Sequence, residues 1–324
     1  MSDLILALDG GGTKTELAFA NRDGDIVSLI SGKSTNPMDS ADWRNQLETL
    51  FRMAADLLPR TCVAVLGLPG YGEVKLLDEL SAAVAADLFP GRRRLMNDVE
   101  MALDGALLGT AGILVLAGTG SMAMARGQGG EIVRVGGWGD AFGDEGSAYW
   151  IGREALVRTS QALDGRADLD GFATGILDGL GLDASDRYDR LMGWCYGLSN
   201  RRSGIAAVAA LVDRLGESGD GTALSILRRA AECLSLHMAA ITSRLDKVGL
   251  LPWSYAGHVF DSRTIRKTLA ARHGEPAVPC LDPIGGGLWR AAHEAGWDVD
   301  DPWTCRLAES LRQRRSSLFP GQTT

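Results

Sequence analysis

Two passages of this chain repeat the same order of events, and that repetition limits the fold more than any other feature. Leu4–Leu8 is an apolar run ended by Asp9-Gly10-Gly11-Gly12, followed by the run Thr15–Ala20, the polar turn Asn21-Arg22-Asp23-Gly24-Asp25 and the run Ile26–Ile30. Ile113–Ala117 opens the second passage, which continues through Gly118-Thr119-Gly120, Ser121–Arg126, the turn Gly127–Gly130 and Ile132–Val135. Short apolar runs bounded by Gly and Asn/Asp turns predict strands joined as hairpins. The chain thus holds two strand–glycine turn–strand–polar turn–strand units, an internal duplication at the level of pattern.

Around them the periodicity predicts helices. Trp43, Leu47, Leu50, Phe51, Ala54 and Leu58 share one helical face over 43–58, and a second amphipathic helix covers 73–88. Cys62–Leu68 reads as a buried strand, and a further strand near Arg94–Met96 runs into Asn97-Asp98 and a helix. The stretch 145–246 is helical, best marked by Leu224, Leu227, Ala231, Leu234, Met238, Ile241 and Leu245, with Glu145–Arg158 as its first helix. A strand over Trp253–Val259 and helices over 262–272 and 286–295 close the chain. No Pro/Ser-rich linker separates the halves, so the boundary is a hinge rather than a tether.

Composition removes several classes of function. Thirty-three Lys+Arg against 41 Asp+Glu give a net charge of −8, which excludes a general nucleic-acid binder, since phosphates are neutralised by a clustered basic surface. The basic runs Arg92–Arg94 and Arg312–Arg315 read as solvated surface. Five Cys stand at 62, 195, 233, 280 and 305 without a CxxC pair, so a disulfide framework is excluded and a reducing cytoplasm fits. The four His lack metal-ligand spacing. Without a leader pattern or an apolar run of about 18 residues, neither secretion nor a membrane partner is expected. At roughly 100–200 residues per domain, 324 residues suggest two.

Glycine is the unusual component. Its 42 copies are nearly twice the usual share, concentrated at 10–12, 118–120, 136–139 and 285–287, each read as a strand end. Two tempting matches fail. Gly10–Thr15 lacks the spacing of a Walker A loop, and Gly118–Ala123 fits G-x-G-x-x-A but leads into a strand pattern where a dinucleotide site needs a helix. What remains is one Gly/Thr loop per half, able to offer backbone N–H groups and a hydroxyl to phosphate. Asp9, at a strand end, is placed to hold a hydrated Mg2+.

Asp9–Thr15 (DGGGTKT), Ser34-Thr35-Asn36, Asn97-Asp98, Ala117–Ser121 (AGTGS) and Gly136–Trp150 (GGWGDAFGDEGSAYW) together resemble the N-acetylglucosamine kinase family. That family is a BadF/BadG/BcrA/BcrD-type ATPase within the sugar kinase and actin-like superfamily. The resemblance runs in order over residues 3–155 and thins afterwards to an adenosine-motif strand around Gly257 and a glycine-rich helix at Gly285–Gly287.

The resemblance implies an α/β fold of two actin-like (ribonuclease H-like) lobes, with mixed sheets flanked by helices and a ligand cleft between them. It divides the chain into 1–97 with about 283–324, and about 98–282. It implies ATP and Mg2+ as cofactors and transfer to the 6-hydroxyl of N-acetylglucosamine. Asp98 matches the catalytic base and also touches the sugar. Asn36, Gly120, Ser121, Gly137, Trp138, Gly139 and Asp144 match sugar-binding positions. Gly11, Gly12, Thr13, Lys14, Thr119 and Gly257 match ATP-binding positions, and Asp9 the magnesium position through water. Phosphoryl transfer needs positioning, charge neutralisation and one base to take the hydroxyl proton. The resemblance also allows a homodimer.

Three alternatives stay open on sequence. The sugar is free glucosamine or N-acetylmuramate; or the protein is an ATP-driven activator of radical dehydratases, which holds an iron–sulfur cluster through cysteine pairs that this chain does not show; or it is a sugar-sensing regulator, for which no DNA-binding module precedes Leu4.

Overall fold

Strand β1 (Leu4–Gly10) explains its unbroken apolar run by being covered on both faces. Successive side chains of a strand point to opposite sides. Ile5 and Ala7 enter one core, Leu4, Leu6 and Leu8 another. The computed structural model describes residues 3–11, 14–38, 41–182, 187–245 and 251–318.

Strands β2 (Lys14–Asn21) and β3 (Ile26–Lys33) extend the sheet as a meander. Asn21 Oδ1 accepts the N–H groups of Asp23 and Asp25 in the connecting turn. Helix α1 (Trp43–Met53) stops short of the predicted 58, ahead of a 3₁₀ turn over Leu58–Arg60 that contains Pro59. Then follow β4 (Thr61–Leu68), α2 (Lys75–Leu88), β5 (Arg92–Asn97) and α3 (Asp98–Leu107). The strand order is β3-β2-β1-β4-β5, with β1, β4 and β5 parallel and β2 antiparallel to both neighbours.

In the second unit, β6 (Gly112–Ala117), β7 (Ser121–Arg126) and β8 (Ile132–Gly136) repeat the meander. A helical stretch follows: α4 (Ala148–Leu163), α5 (Gly171–Gly179), α6 (Arg187–Gly197), α7 (Arg201–Ala207), α8 (Ala209–Glu217) and α9 (Gly221–Arg244). Strand β9 (Trp253–Ala256) pairs parallel to β6, giving the order β8-β7-β6-β9, and α10 (Arg263–His273) follows a 3₁₀ turn over His258–Asp261. The order β3-β2-β1-β4 of the first sheet is therefore reproduced, and the repeated pattern in the sequence is a repeated topology. Ser121–Arg126 is a strand, so the G-x-G-x-x-A match has no helix behind it. Helix α4 begins at Ala148 rather than 145, where Ser147 Oγ accepts the N–H of Trp150 as its cap.

The chain returns to the first unit with α11 (Pro283–Glu294) and α12 (Asp301–Leu318). The units are Met1–Thr110 with Val278–Thr324, and Ala111–Ala277. Helix α3, which the sequence reading gives to the second lobe, is bound into the first unit: Arg290 of α11 clasps the fully buried Asp104 through two bonds of 2.7 Å.

Gly285–Gly287, grouped with the strand-end glycines but also read as a glycine-rich helix, lies within α11, where a Cβ on Gly286 would stand 2.4 Å from Gly105 N and Met101 O of α3; glycine lets the two helices touch. Arg315, read as solvated, is drawn in between Glu16 and Asp282. Among the described residues no helix is long and apolar enough to cross a membrane.

Candidate functional site

In the first unit the predicted residues gather at the carboxyl ends of the parallel strands, where ligands bind in open α/β sheets. Asp9 of β1 lies beside Gly67 of β4, and Asn97 ends β5 beside Leu68. Gly11 N–H closes on Lys14 O at 2.9 Å, so the turn between β1 and β2 is tight. Ser34 Oγ donates to Gly11 O at 2.9 Å, and the Thr15 and Thr35 hydroxyls lie 2.9 Å apart, which ties the Ser34–Asn36 segment to that turn. Asn36 is buried, and its Oδ1 accepts the Met38 N–H at 3.0 Å. Gly12 and Thr13 lie outside the described residues.

Asn97 and Asp98 divide the work at the start of α3. Asn97 Oδ1 caps the helix by accepting the Val99 N–H at 2.9 Å, while its Nδ2 donates to Tyr71 O at 3.0 Å. Asp98 is the first helical residue, half-buried, and its Oδ1 also accepts from Val99 N at 3.0 Å. Capping therefore rests chiefly on Asn97, and Asp98 is a carboxylate at a helix N-terminus, where the helix dipole favours negative charge.

Asp9 sits among acids. Burial first, then the charges of Asp98, Glu16 and Asp282, push its carboxyl up to about 8. Burial works against ionisation at Glu16 too, but the charges of Arg315 and Lys14 outweigh it and hold that carboxyl below its usual value. Lys14 Nζ donates to Glu16 at 2.9 Å and Arg315 Nη2 at 2.6 Å, so Lys14 is engaged with a neighbouring acid. Asp282, which the sequence reading passed over, caps α11 by accepting the Gly285 N–H at 2.9 Å. Crowded carboxylates of this kind suit a divalent cation. Among the described residues no three His, Cys, Asp or Glu side chains are grouped to ligate a metal directly; Mg2+ needs only one or two carboxylates and keeps most of its waters.

The second unit assembles the other predicted set. Gly118 N–H donates to Gly120 O at 2.9 Å, and the N-terminal amides of α4 hold the loop from behind: Ala148 N–H donates to Gly118 O at 2.9 Å, Tyr149 N–H to Thr119 O at 3.3 Å. Ser121 is anchored by its N–H to Asp144 Oδ1 (3.1 Å) and its Oγ to Glu145 O (2.8 Å). Gly137 N–H donates to Ser121 O at 3.1 Å, which brings the two glycine-rich loops together. Trp138 stands 69% exposed, beside Gly139 with its left-handed backbone; it is no core aromatic.

Asp144 is 3% exposed, adopts φ 58°, and takes Arg202 Nη2 on its Oδ2 at 2.6 Å. Arg202, in the first turn of α7, is the functional candidate that sequence reasoning missed. A Cβ on Gly120 would stand 2.8 Å from both Arg202 Nη2 and Asp144 Oδ1, so these three positions are packed as one piece.

Gly257, the predicted adenosine-motif residue, has φ 100°, and a Cβ there would stand 2.3 Å from Ala117 O and 2.9 Å from Gly118 N. Only glycine gives both that conformation and that approach. The next residue, His258, lines a cavity of about 500 Å³ together with Gly118, Thr119, Ala206, Ala207, Ala210 and Ser262. Its size and mixed lining suit a small-molecule site.

Comparison with known proteins bears on the family and the fold. A family model described as the BadF/BadG/BcrA/BcrD ATPase family matches residues 6–279. The N-acetylmuramic acid/N-acetylglucosamine kinase of Clostridium acetobutylicum is 27% identical over 251 residues, covering 75% of this chain and 80% of that protein. The N-acetyl-D-glucosamine kinase of Dictyostelium discoideum is 21% identical over 290 residues, covering 83% and 89%. The crystal structure of a candidate N-acetylglucosamine kinase from Chromobacterium violaceum superposes with a TM-score of 0.72 at 25% identity, over 88% of this chain and 98% of the other. The two mixed sheets with flanking helices are those of the actin-like sugar kinases.

Proposed function

The chain belongs to the BadF/BadG/BcrA/BcrD ATPase family, and from that membership we propose that it is an ATP-dependent hexosamine kinase. Its substrate is N-acetylglucosamine, phosphorylated on the 6-hydroxyl to give N-acetylglucosamine 6-phosphate and ADP. The observation that carries the reading is Asp98, a half-buried carboxylate at the carboxyl edge of the first sheet whose neighbour Asn97 bears the capping duty.

The reaction asks little covalent chemistry of the protein. The sugar hydroxyl oxygen bonds to the γ-phosphorus, the bond to the β–γ bridging oxygen breaks, ADP leaves, and the hydroxyl proton passes to Asp98. Asn36, Ser121, Asp144 and the Gly120 and Gly137–Gly139 loops orient the sugar. Asp144 can do this while bound to Ser121 and Arg202, because each carboxylate oxygen accepts more than one hydrogen bond. Gly11, Gly12, Thr13 and Lys14 in the first unit, and Thr119 and Gly257 in the second, serve ATP. Asp9 would hold Mg2+ through the ion's waters, and the ion would supply neutralisation of phosphate charge there.

The name of the Clostridium acetobutylicum relative adds N-acetylmuramate as a second substrate to be tried. The test is ADP release by purified protein with Mg-ATP and, in turn, N-acetylglucosamine, N-acetylmuramate, glucosamine and glucose. Fastest turnover with N-acetylglucosamine supports the reading. Absence of ADP release with every amino sugar overturns it, and a brown protein with broad visible absorbance would point to an iron–sulfur activator instead.

A further inference from the structure

The Gly136–Gly139 loop and the turn at Asp144–Ser147 both rest on helix α9, and one polar side chain of that helix sits where they meet. A Cβ on Gly146 would stand 2.6 Å from Ala230 O and 2.9 Å from Leu234 Cγ, so the turn lies directly on the helix. Further along α9, His237 lies against Gly136, where a Cβ would stand 3.1 Å from the ring's Cε1 and Nε2. His237 is 9% exposed, and among the described residues its Nδ1 has no hydrogen-bond partner. Its Nε2 is 3.9 Å from Glu145 Oε2, beyond hydrogen-bond length, and the Glu145 side chain is 47% exposed. A buried polar ring without hydrogen bonds is destabilising, and an apolar side chain would fill the same place without that cost. With nothing to accept a proton from Nδ1, the neutral ring carries its proton on Nε2, toward Glu145. Burial favours that neutral form and pulls the ring's pKa down, against the charges of Glu145 and Asp144.

We propose that His237 is a positioning residue for the hexosamine subsite: in the sugar-bound protein its Nε2–H donates to the Glu145 carboxylate and locks the turn at Asp144 onto the Gly136–Gly139 loop. The inference deepens the kinase reading and rests on it. The two segments it joins carry Gly137, Trp138, Gly139 and Asp144, and they already share Ser121. Ser121 O accepts from the Gly137 N–H, its N–H donates to Asp144 Oδ1 and its Oγ to Glu145 O. Ser121 thus ties the segments from the strand side, and His237 ties them from the helix side. A side chain as exposed as Glu145 can turn to close the remaining gap. His237, buried beneath the loops, acts through Glu145 rather than on the sugar itself.

The test measures binding of N-acetylglucosamine by calorimetry, with ATP alone as the control, for wild type, His237→Met, His237→Gln and Glu145→Ala. Methionine fills the space with a flexible apolar chain, whereas glutamine places an N–H donor near where Nε2 stands. His237→Met should hold or slightly raise the melting temperature measured without ligands. Its sugar affinity should fall about three- to tenfold with ATP affinity unchanged, and His237→Gln should restore most of that loss. In steady-state assays the loss should appear in the sugar KM and not in kcat. Glu145→Ala should weaken sugar binding to a similar extent, and adding His237→Met to it should cause no further loss. Equal sugar affinity in wild type and His237→Met overturns the inference alone. A drop in melting temperature shared by His237→Met and His237→Gln assigns the ring a packing role and overturns it, as does an independent loss in the double variant. Wild-type protein that binds no hexosamine overturns the kinase reading itself, and the inference with it.

Discussion

Arg202 reaches Asp144 at 2.6 Å, joining a 35%-exposed guanidinium to a carboxylate that is almost wholly buried. Asp144 holds a left-handed backbone, a conformation that aspartate adopts more readily than most non-glycine residues. Its other oxygen takes the Ser121 N–H. Removing the cation leaves a buried charge with one backbone donor, so Arg202→Met should lower stability by about 1–3 kcal/mol, less than a fully buried pair would lose because the guanidinium meets solvent. Thermal unfolding of Arg202→Met, Asp144→Asn and the double variant measures the coupling. We expect at least about 1 kcal/mol, with a raised KM for sugar in both single variants; additivity within about 0.5 kcal/mol would contradict the clasp.

Asp9 sets a pH dependence with a definite sign. Its folded pKa of about 8 lies above the ordinary value of 3.8, so the folded state keeps a proton that the unfolded chain releases. The associated stability is complete below about pH 4 and is lost as pH rises to about 8, by at most about 1.4 kcal/mol per pH unit. Asp9→Asn lacks this slope. Without nucleotide or magnesium, the two stability curves should diverge between about pH 4 and 8, with the variant more stable at the alkaline end. Adding Mg2+ should narrow the gap, since a cation favours the ionised form. Parallel curves would show that Asp9 is not held neutral.

How much of this was legible in the sequence depends on the range over which each feature acts. The hairpin through Asn21–Asp25 and the strand Leu4–Leu8 are local, and periodicity and turn chemistry sufficed. The motif residues Asp144 and Gly137 were legible as a run, although their joint hold on Ser121 was not. Arg202 lies 58 residues from Asp144, and Arg315 lies 299 from Glu16; ion pairs across such distances leave no local pattern. Gly285–Gly287 carried two readings, strand end and helix, because glycine serves both turns and close helix packing, and the neighbour, Gly105, distinguishes the two uses. The fraying of α1 at Met53 escaped because Ala54 and Leu58 continue the apolar spacing past its end.

Gly257 offers a test of the second unit alone. Its φ of 100° and the 2.3 Å approach to Ala117 O mean that Gly257→Ala must move either β6 or the turn after β9. Left-handed strain of about 1–3 kcal/mol is added to that clash. The variant should melt lower and lose most of its nucleotide affinity in calorimetry. Unchanged nucleotide binding would separate the β9 turn from the ATP site.

In the proposed reaction Asp98 takes the proton from the sugar hydroxyl. Asp98→Asn keeps the size of the side chain and an oxygen able to accept the Val99 N–H, but removes the base. Asn97 retains its own bond to Val99, so the melting temperature should hold. The most direct measurement is sugar-dependent ADP release by wild type and Asp98→Asn at saturating Mg-ATP and N-acetylglucosamine, alongside sugar binding by calorimetry. Turnover should fall by about 10²–10⁴-fold while sugar affinity changes far less. A normally folded variant that turns over at near wild-type rate would contradict it.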